Sequence, residues 1–197
     1  MKNKILALVL LAVTALAAPA MADRLVFTEY GVSYGSIITP RNVENNTTGT
    51  YDTMLIDAKV GVSALRWVEA YIGAGFYPFI FTANPEENYT FVPLFAGIKV
   101  NAFPEWTVYP SISFEYGTAA ANKHTQYAVM YGPNKVMFDR DNAWWSSYYN
   151  FGLAINWKFE DIAVLSLKIE RPSYTNLNKS YGEIQVMKAG LAWQIYY

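Results

Sequence analysis

Lys188-Ala189-Gly190-Leu191-Ala192-Trp193-Gln194-Ile195-Tyr196-Tyr197 is the stretch whose reading decides the fold. One parity holds Ala189, Leu191, Trp193, Ile195 and Tyr197; the other holds Lys188, Gly190, Ala192, Gln194 and Tyr196. A period of two with one wholly apolar face describes a β-strand standing between two very different solvents. Chain termini fray unless they are held, so this strand is expected to pair on its flanks.

Working outward, the same alternation recurs in seven earlier segments, at about 25–38, 52–64, 67–80, 91–102, 106–117, 145–158 and 162–170. Their apolar parities include Val32 and Tyr34, Ile56 and Val60, Ile72 and Phe76, Leu94 and Ile98, Ile112 and Phe114, Phe151 and Leu153, and Leu167 and Ile169, and carry no charge. The opposite parities are rich in glycine and serine. They set Glu29, Asp57, Glu69, Glu115 and Glu170 against Lys59, Lys99, Lys158, Lys168 and Lys188. Five charges of each sign suit a narrow lumen, where buried ions must find partners.

The connections alternate in length. Two or three residues link segments two to three, four to five and six to seven, around 65–66, 103–105 and 159–161. The other links are longer and polar, at 39–51, 82–90, 118–144 and 171–182. The predicted fold is therefore all-β: an eight-stranded antiparallel up-and-down transmembrane β-barrel with short periplasmic turns and longer extracellular loops. A soluble barrel would turn the apolar parity inward. Against that, a charge at a lipid-facing midplane costs roughly 2–4 kcal/mol, which explains why the apolar parities lack one. Two aromatic belts add support. Trp106, Trp157, Trp193 and Tyr197 fall toward the short turns, and Tyr30, Tyr34, Phe76, Tyr116 and Tyr149 toward the long loops. Pro110 is the awkward residue: it sits on the apolar parity of the fifth segment and cannot donate a ladder bond, which makes a bulge plausible there.

Residues 1–22 begin with Lys2 and Lys4, continue through an apolar run from Ile5 to Ala18, and end in Ala20-Met21-Ala22. This is the pattern of a cleaved secretory signal peptide, with an apolar run short of the roughly 20 residues a spanning helix needs. Residues 23–197 then form a single domain. Taking Lys2 and Lys4 from the 15 basic residues leaves 13 against 16 acidic ones, a net charge of about −3 with no basic stripe for nucleic acid. The chain has no cysteine, which excludes disulfides, a thiolate nucleophile, a thiolate metal site and a lipoprotein-type anchor.

Lys188, Gly190, Trp193, Ile195 and Tyr197 also resemble the C-terminal signature of bacterial outer-membrane barrels. The domain as a whole resembles the small eight-stranded outer-membrane proteins, such as the OmpA transmembrane domain, OmpX and OmpW. The resemblance implies a location in the bacterial outer membrane, contact with its lipid and lipopolysaccharide, and a terminal strand read by the barrel-insertion machinery. It also implies a lumen filled by polar side chains, and eight strands leave room inside for little more.

No catalytic, cofactor or metal motif stands out. Some barrels of this size modify lipid A with His, Ser and an acid. The single histidine, His124, is followed by Thr125 and Gln126, so the His-x-Ser spacing of the deacylases is absent. Ser146, Ser147, Asp139 and Asp141 are the residues from which a triad would have to be assembled. The long link at 118–144 is the better place to look for function. It mixes Lys123, Lys135 and Arg140 with Tyr131 and Phe138, cations beside aromatics that suit lipopolysaccharide phosphates, glycans or a host surface protein. A structural or surface-interaction role is the favoured expectation, and a narrow conduit for small or hydrophobic solutes is the alternative.

Overall fold

A computed structural model describes residues 26–39, 51–65, 67–81, 88–131, 134–176 and 183–197. The expected signal peptide lies outside the described residues. Eight strands follow in order: β1 (Val26–Thr39), β2 (Tyr51–Leu65), β3 (Val68–Phe81), β4 (Asn88–Asn101), β5 (Val108–Tyr131), β6 (Asn134–Phe159), β7 (Ala163–Asn176) and β8 (Glu183–Tyr196). Each pairs antiparallel with its sequence neighbours, and β1 pairs with β8 to close the barrel. Closure leaves no open edge around the wall, the condition for a sheet in hydrocarbon. The terminal strand is held on both sides, with Trp193 opposite Tyr30 of β1 and Leu165 of β7.

Alternation sorts the side chains as the sequence demands. Tyr34, Ile56, Ile72, Leu94, Ile98, Ile112, Phe114, Phe151, Ile169 and Leu191 stand on the outside, each about half exposed. The inward parity is buried and carries charges, amides and rings. Glycine makes room for the rings. The Tyr71 ring lies over Gly97, where a Cβ would come within 2.6 Å of it.

Several boundaries differ from the sequence reading. The link expected at 118–144 is largely ladder, since β5 and β6 pair without interruption from Val108↔Trp157 to Tyr131↔Asn134. Residues 118–124 belong to the wall as well, pairing with β4 out to Asn88↔His124. A polar composition hid a hairpin, because ladder bonds need no apolar side chains. The turn expected at 103–105 spans 102–107 instead, since Trp106 N–H returns to the Phe103 carbonyl at 3.0 Å. Phe103 takes a positive φ of 55° there, and its ring stacks on Trp106 at 4.6 Å. Tyr30, expected near the long loops, faces Trp193 of the short-turn belt. Pro110 produces no bulge: register runs through Pro110↔Ile155, and its carbonyl accepts from Ala102 N–H at 2.9 Å. A strand residue points its N and its C=O to the same side. The donor Pro110 lacks is therefore missing only at the end of the β4–β5 ladder, beside the turn.

Candidate functional site

The interior is layered. Midway along the barrel, Lys59 from β2 reaches Glu115 of β5 at 2.7 Å and Glu29 of β1 at 3.3 Å. Lys99 meets Glu69 at 2.6 Å, and Lys168 pairs with Glu29. Lys188 bridges Glu170 at 2.8 Å and Asp57 at 3.1 Å. Neutral donors surround two of the carboxylates. Glu115 accepts from Tyr71 at 3.1 Å, Tyr148 at 2.8 Å and Asn150 at 2.9 Å. Glu69 accepts from Asn101 at 3.0 Å, Gln194 at 3.1 Å and Tyr196 at 2.6 Å. Breaking one partner of such a buried set strands a charge, which makes the lattice rigid.

Nine of the ten charges expected in the lumen are brought together this way. Lys158 is the exception. It sits at the short-turn rim, 3.6 Å from Asp161 and 3.2 Å from the Pro104 carbonyl. Its parity points inward, but β6 is nearly over at that height, so its stem turns toward the turn backbone and water.

Rings close the lattice on both sides. Phe27, Tyr71, Tyr109 and Tyr196 lie toward the short turns. Toward the long loops stands a stack the sequence reading missed: Phe79, Tyr89, Phe91, Phe95, Tyr148 and Tyr174, with Leu55, Ile184 and Val186. Phe91 lies on Tyr174 at 4.2 Å. The expectation of a lumen filled by polar side chains is thus corrected toward the long loops, where an aromatic plug stands. Its signal was present in strands β3 and β4, where Tyr77, Phe79, Phe91 and Phe95 occupy the parity assigned to polar groups. One cavity beside the lattice, lined by Glu29, Lys59, Glu69, Lys99 and Lys168 among others, is about 10 Å³. That is room for about one water.

On the outside, Trp106, Trp157, Trp193 and Tyr197 border the apolar wall at the short turns, and Tyr34, Tyr116 and Trp145 at the other end. An apolar surface of this extent on a monomer marks contact with another phase or partner.

No protein-family model and no curated protein matches the sequence. Solved structures do match. Neisserial surface protein A superposes with a TM-score of 0.60 at 6% identity, covering 87% of this chain and 97% of its own. Ail, the attachment invasion locus protein of Yersinia pestis, superposes at 0.53 with 8% identity, over 89% of this chain and all of its own, in a crystal with the heparin analogue sucrose octasulfate. The fold is that of the small eight-stranded outer-membrane barrels.

Within this barrel, the triad candidates stand apart. His124 lies opposite Asp141, while Ser146 lies opposite Ala119, five residues along the same ladder. At about 3.4 Å per residue that is roughly 17 Å, too far for a proton relay. Asp139 and Asp141 have side chains outside the described residues. Among the described residues no cluster of His and acidic side chains forms a metal site.

The surface candidates divide similarly. Lys123 is on the inward parity opposite Tyr89, its ammonium 5.2 Å from the centre of that ring, so it belongs to the barrel mouth rather than to a free loop. Tyr131, Lys135, Phe138 and Arg140 fall on the outer part of the hairpin, opposite Asn134, Met130, Tyr127 and Thr125 respectively. Their side chains lie outside the described residues. In the terminal strand, Lys188 is buried in the lattice, Trp193 and Tyr197 face outward, and Ile195 is half-buried on their parity. Gly190 has a packing role of its own: a Cβ there would meet the Val32 carbonyl at 2.2 Å and the Ser33 Cα at 2.4 Å.

Proposed function

We propose that this chain is a bacterial outer-membrane barrel that works at the cell surface through its β5–β6 hairpin, with a closed lumen serving as a rigid core. The observation that carries this reading is the length of β5 and β6, 24 and 26 residues against 14 or 15 for every other strand. A transmembrane strand needs about 9–11 residues, which the 14-residue strands already supply, so the roughly ten extra residues of each arm project beyond them. A long paired hairpin presents a fixed surface, which lowers the ordering cost of binding a partner. Export through the N-terminal segment and delivery by the insertion machinery belong to the same reading, with the short turns in the periplasm and the hairpin outside. Ail's sulfated ligand makes an anionic polysaccharide the first class of partner to try.

The test replaces residues 126–139 by a two-residue Asn-Gly turn, which leaves every β4–β5 and β6–β7 pair intact. The folded variant should keep its heat-modifiable migration and lose binding to heparin, lipopolysaccharide or host matrix protein. Retained binding would sink the hairpin as the contact surface. A solute conduit is the weaker alternative, because the buried ion-pair lattice and the aromatic plug fill the lumen at two successive levels. Proteoliposomes that leak small solutes would favour it.

A further inference from the structure

One polar cluster on the outer wall has no part in the lumen or the hairpin. Arg171 of β7 stands on the same parity as Leu167 and Ile169, opposite Phe151 of β6, and is exposed. Among the residues whose side chains are described it is the only lysine or arginine on the outward face. Its guanidinium donates to Gln185 Oε1 of β8. Gln185 Nε2 donates in turn to Glu183 Oε1 at 2.9 Å, and the Tyr149 hydroxyl donates to that same oxygen. Tyr149, Ser173 and Gln185 occupy one rung, immediately loopward of the apolar wall.

The position is chemically specific. Below it the wall is Ile169, Leu167 and Phe151; at it the first cation appears, beside a tyrosine. In a bilayer that level is the boundary between acyl chains and headgroups, where aromatic rings anchor and arginine stems rise toward charge. A guanidinium presents five donors in a planar fork, more than one amide oxygen can accept, and the fork matches phosphate oxygens. Gln185 stands between Arg171 and Glu183, holding the guanidinium with its oxygen and the carboxylate with its nitrogen. The acid is thereby engaged by Gln185 and Tyr149, and the cation is kept on the lipid side.

Resting on the outer-membrane reading above, we infer that Arg171, oriented by Gln185 and flanked by Tyr149, docks the phosphate of an anionic lipid headgroup in the outer leaflet. The site fixes the height and rotation of the β6–β8 side of the wall in the membrane, directly beneath the hairpin.

Native mass spectrometry of the protein released from phosphatidylcholine nanodiscs doped with phosphatidylglycerol tests this. The wild type should retain phosphatidylglycerol above its bulk fraction. Arg171→Gln should lower that retention about fivefold, the size expected for one interfacial cation, and Arg171→Lys should restore part of it. Lys123→Gln, a cation change away from the outer wall, should leave retention unchanged. Equal retention by wild type and Arg171→Gln would overturn the site, as would inorganic phosphate bound with no lipid retained. Heat-modifiable migration of each variant separates the two readings. A folded Arg171→Gln protein that keeps its lipid refutes the docking site alone, whereas a wild type that never shows a folded band in bilayers refutes the barrel.

Discussion

Lys59 donates to Glu115 at 2.7 Å across the lumen, tying β2 to β5, two strands that share no ladder. The same ammonium is 3.3 Å from Glu29 on β1, so one side chain braces three walls. Lys59→Met should leave Glu115 without its cation, take one of three from Glu29, and lower stability by about 3–5 kcal/mol, the range for breaking a buried pair. Urea unfolding in lipid, followed by tryptophan fluorescence, measures it. The double change Lys59→Met with Glu115→Gln should recover part of the loss; a double variant no more stable than the single one would argue against direct pairing.

Tyr174 offers the opposite case. Its ring is 1% exposed and stacked on Phe91, yet its hydroxyl is buried without a hydrogen-bond partner. Tyr174→Phe keeps the ring and removes the orphan group. Stability should be unchanged or rise by about 1 kcal/mol. A loss larger than that would show that the hydroxyl holds a water or an acceptor.

Gly190→Ala separates packing from recognition. The added methyl would press on the β1 backbone at Val32 and Ser33, at a cost of about 1–3 kcal/mol. Refolding into synthetic lipid vesicles, without any cellular machinery, should already show this defect. A variant that refolds normally in vitro and fails only in cells would make Gly190 a recognition residue instead.

The environment of the wall is tested at Ile72, which is 63% exposed on β3. Ile72→Arg should cost about 2–4 kcal/mol if lipid covers it. In water the same change at an exposed strand position would be nearly neutral. Stability of the folded protein in vesicles decides between them.

Much of the architecture was legible because a barrel with an apolar outer face and a polar lumen writes its period into every strand. Nine lumen charges announced themselves on one parity, and β8 displayed both faces within ten residues. The failures came where that contrast fades. Above Gly97 on β4, Phe95 and Phe91 point inward while Leu94 and Val92 point outward, so both faces are apolar and the period carries no information. Beyond His124 on β5 the closed wall gives way to a hairpin paired only with itself, and a ladder there looks like a loop. Arg171 was visible only once register placed it outside, since a polar residue near a predicted loop invites no comment. Lys158 shows the remaining limit: parity fixes the direction of a side chain but not its height along the barrel.

The partnership of β8 with both β1 and β7 gives the molecule an unusual relation to its own synthesis. Every strand has one neighbour next to it in the sequence, but the second edge of β1 must wait for β8. Until then two rows of unpaired amides face each other across the seam, and lattice members from both sides, Glu29 and Lys188 among them, lack their full set of partners. The final strand therefore acts as a checksum on the whole: seal and charge balance are completed in one event, and a chain wrong anywhere along that seam is wrong everywhere at once.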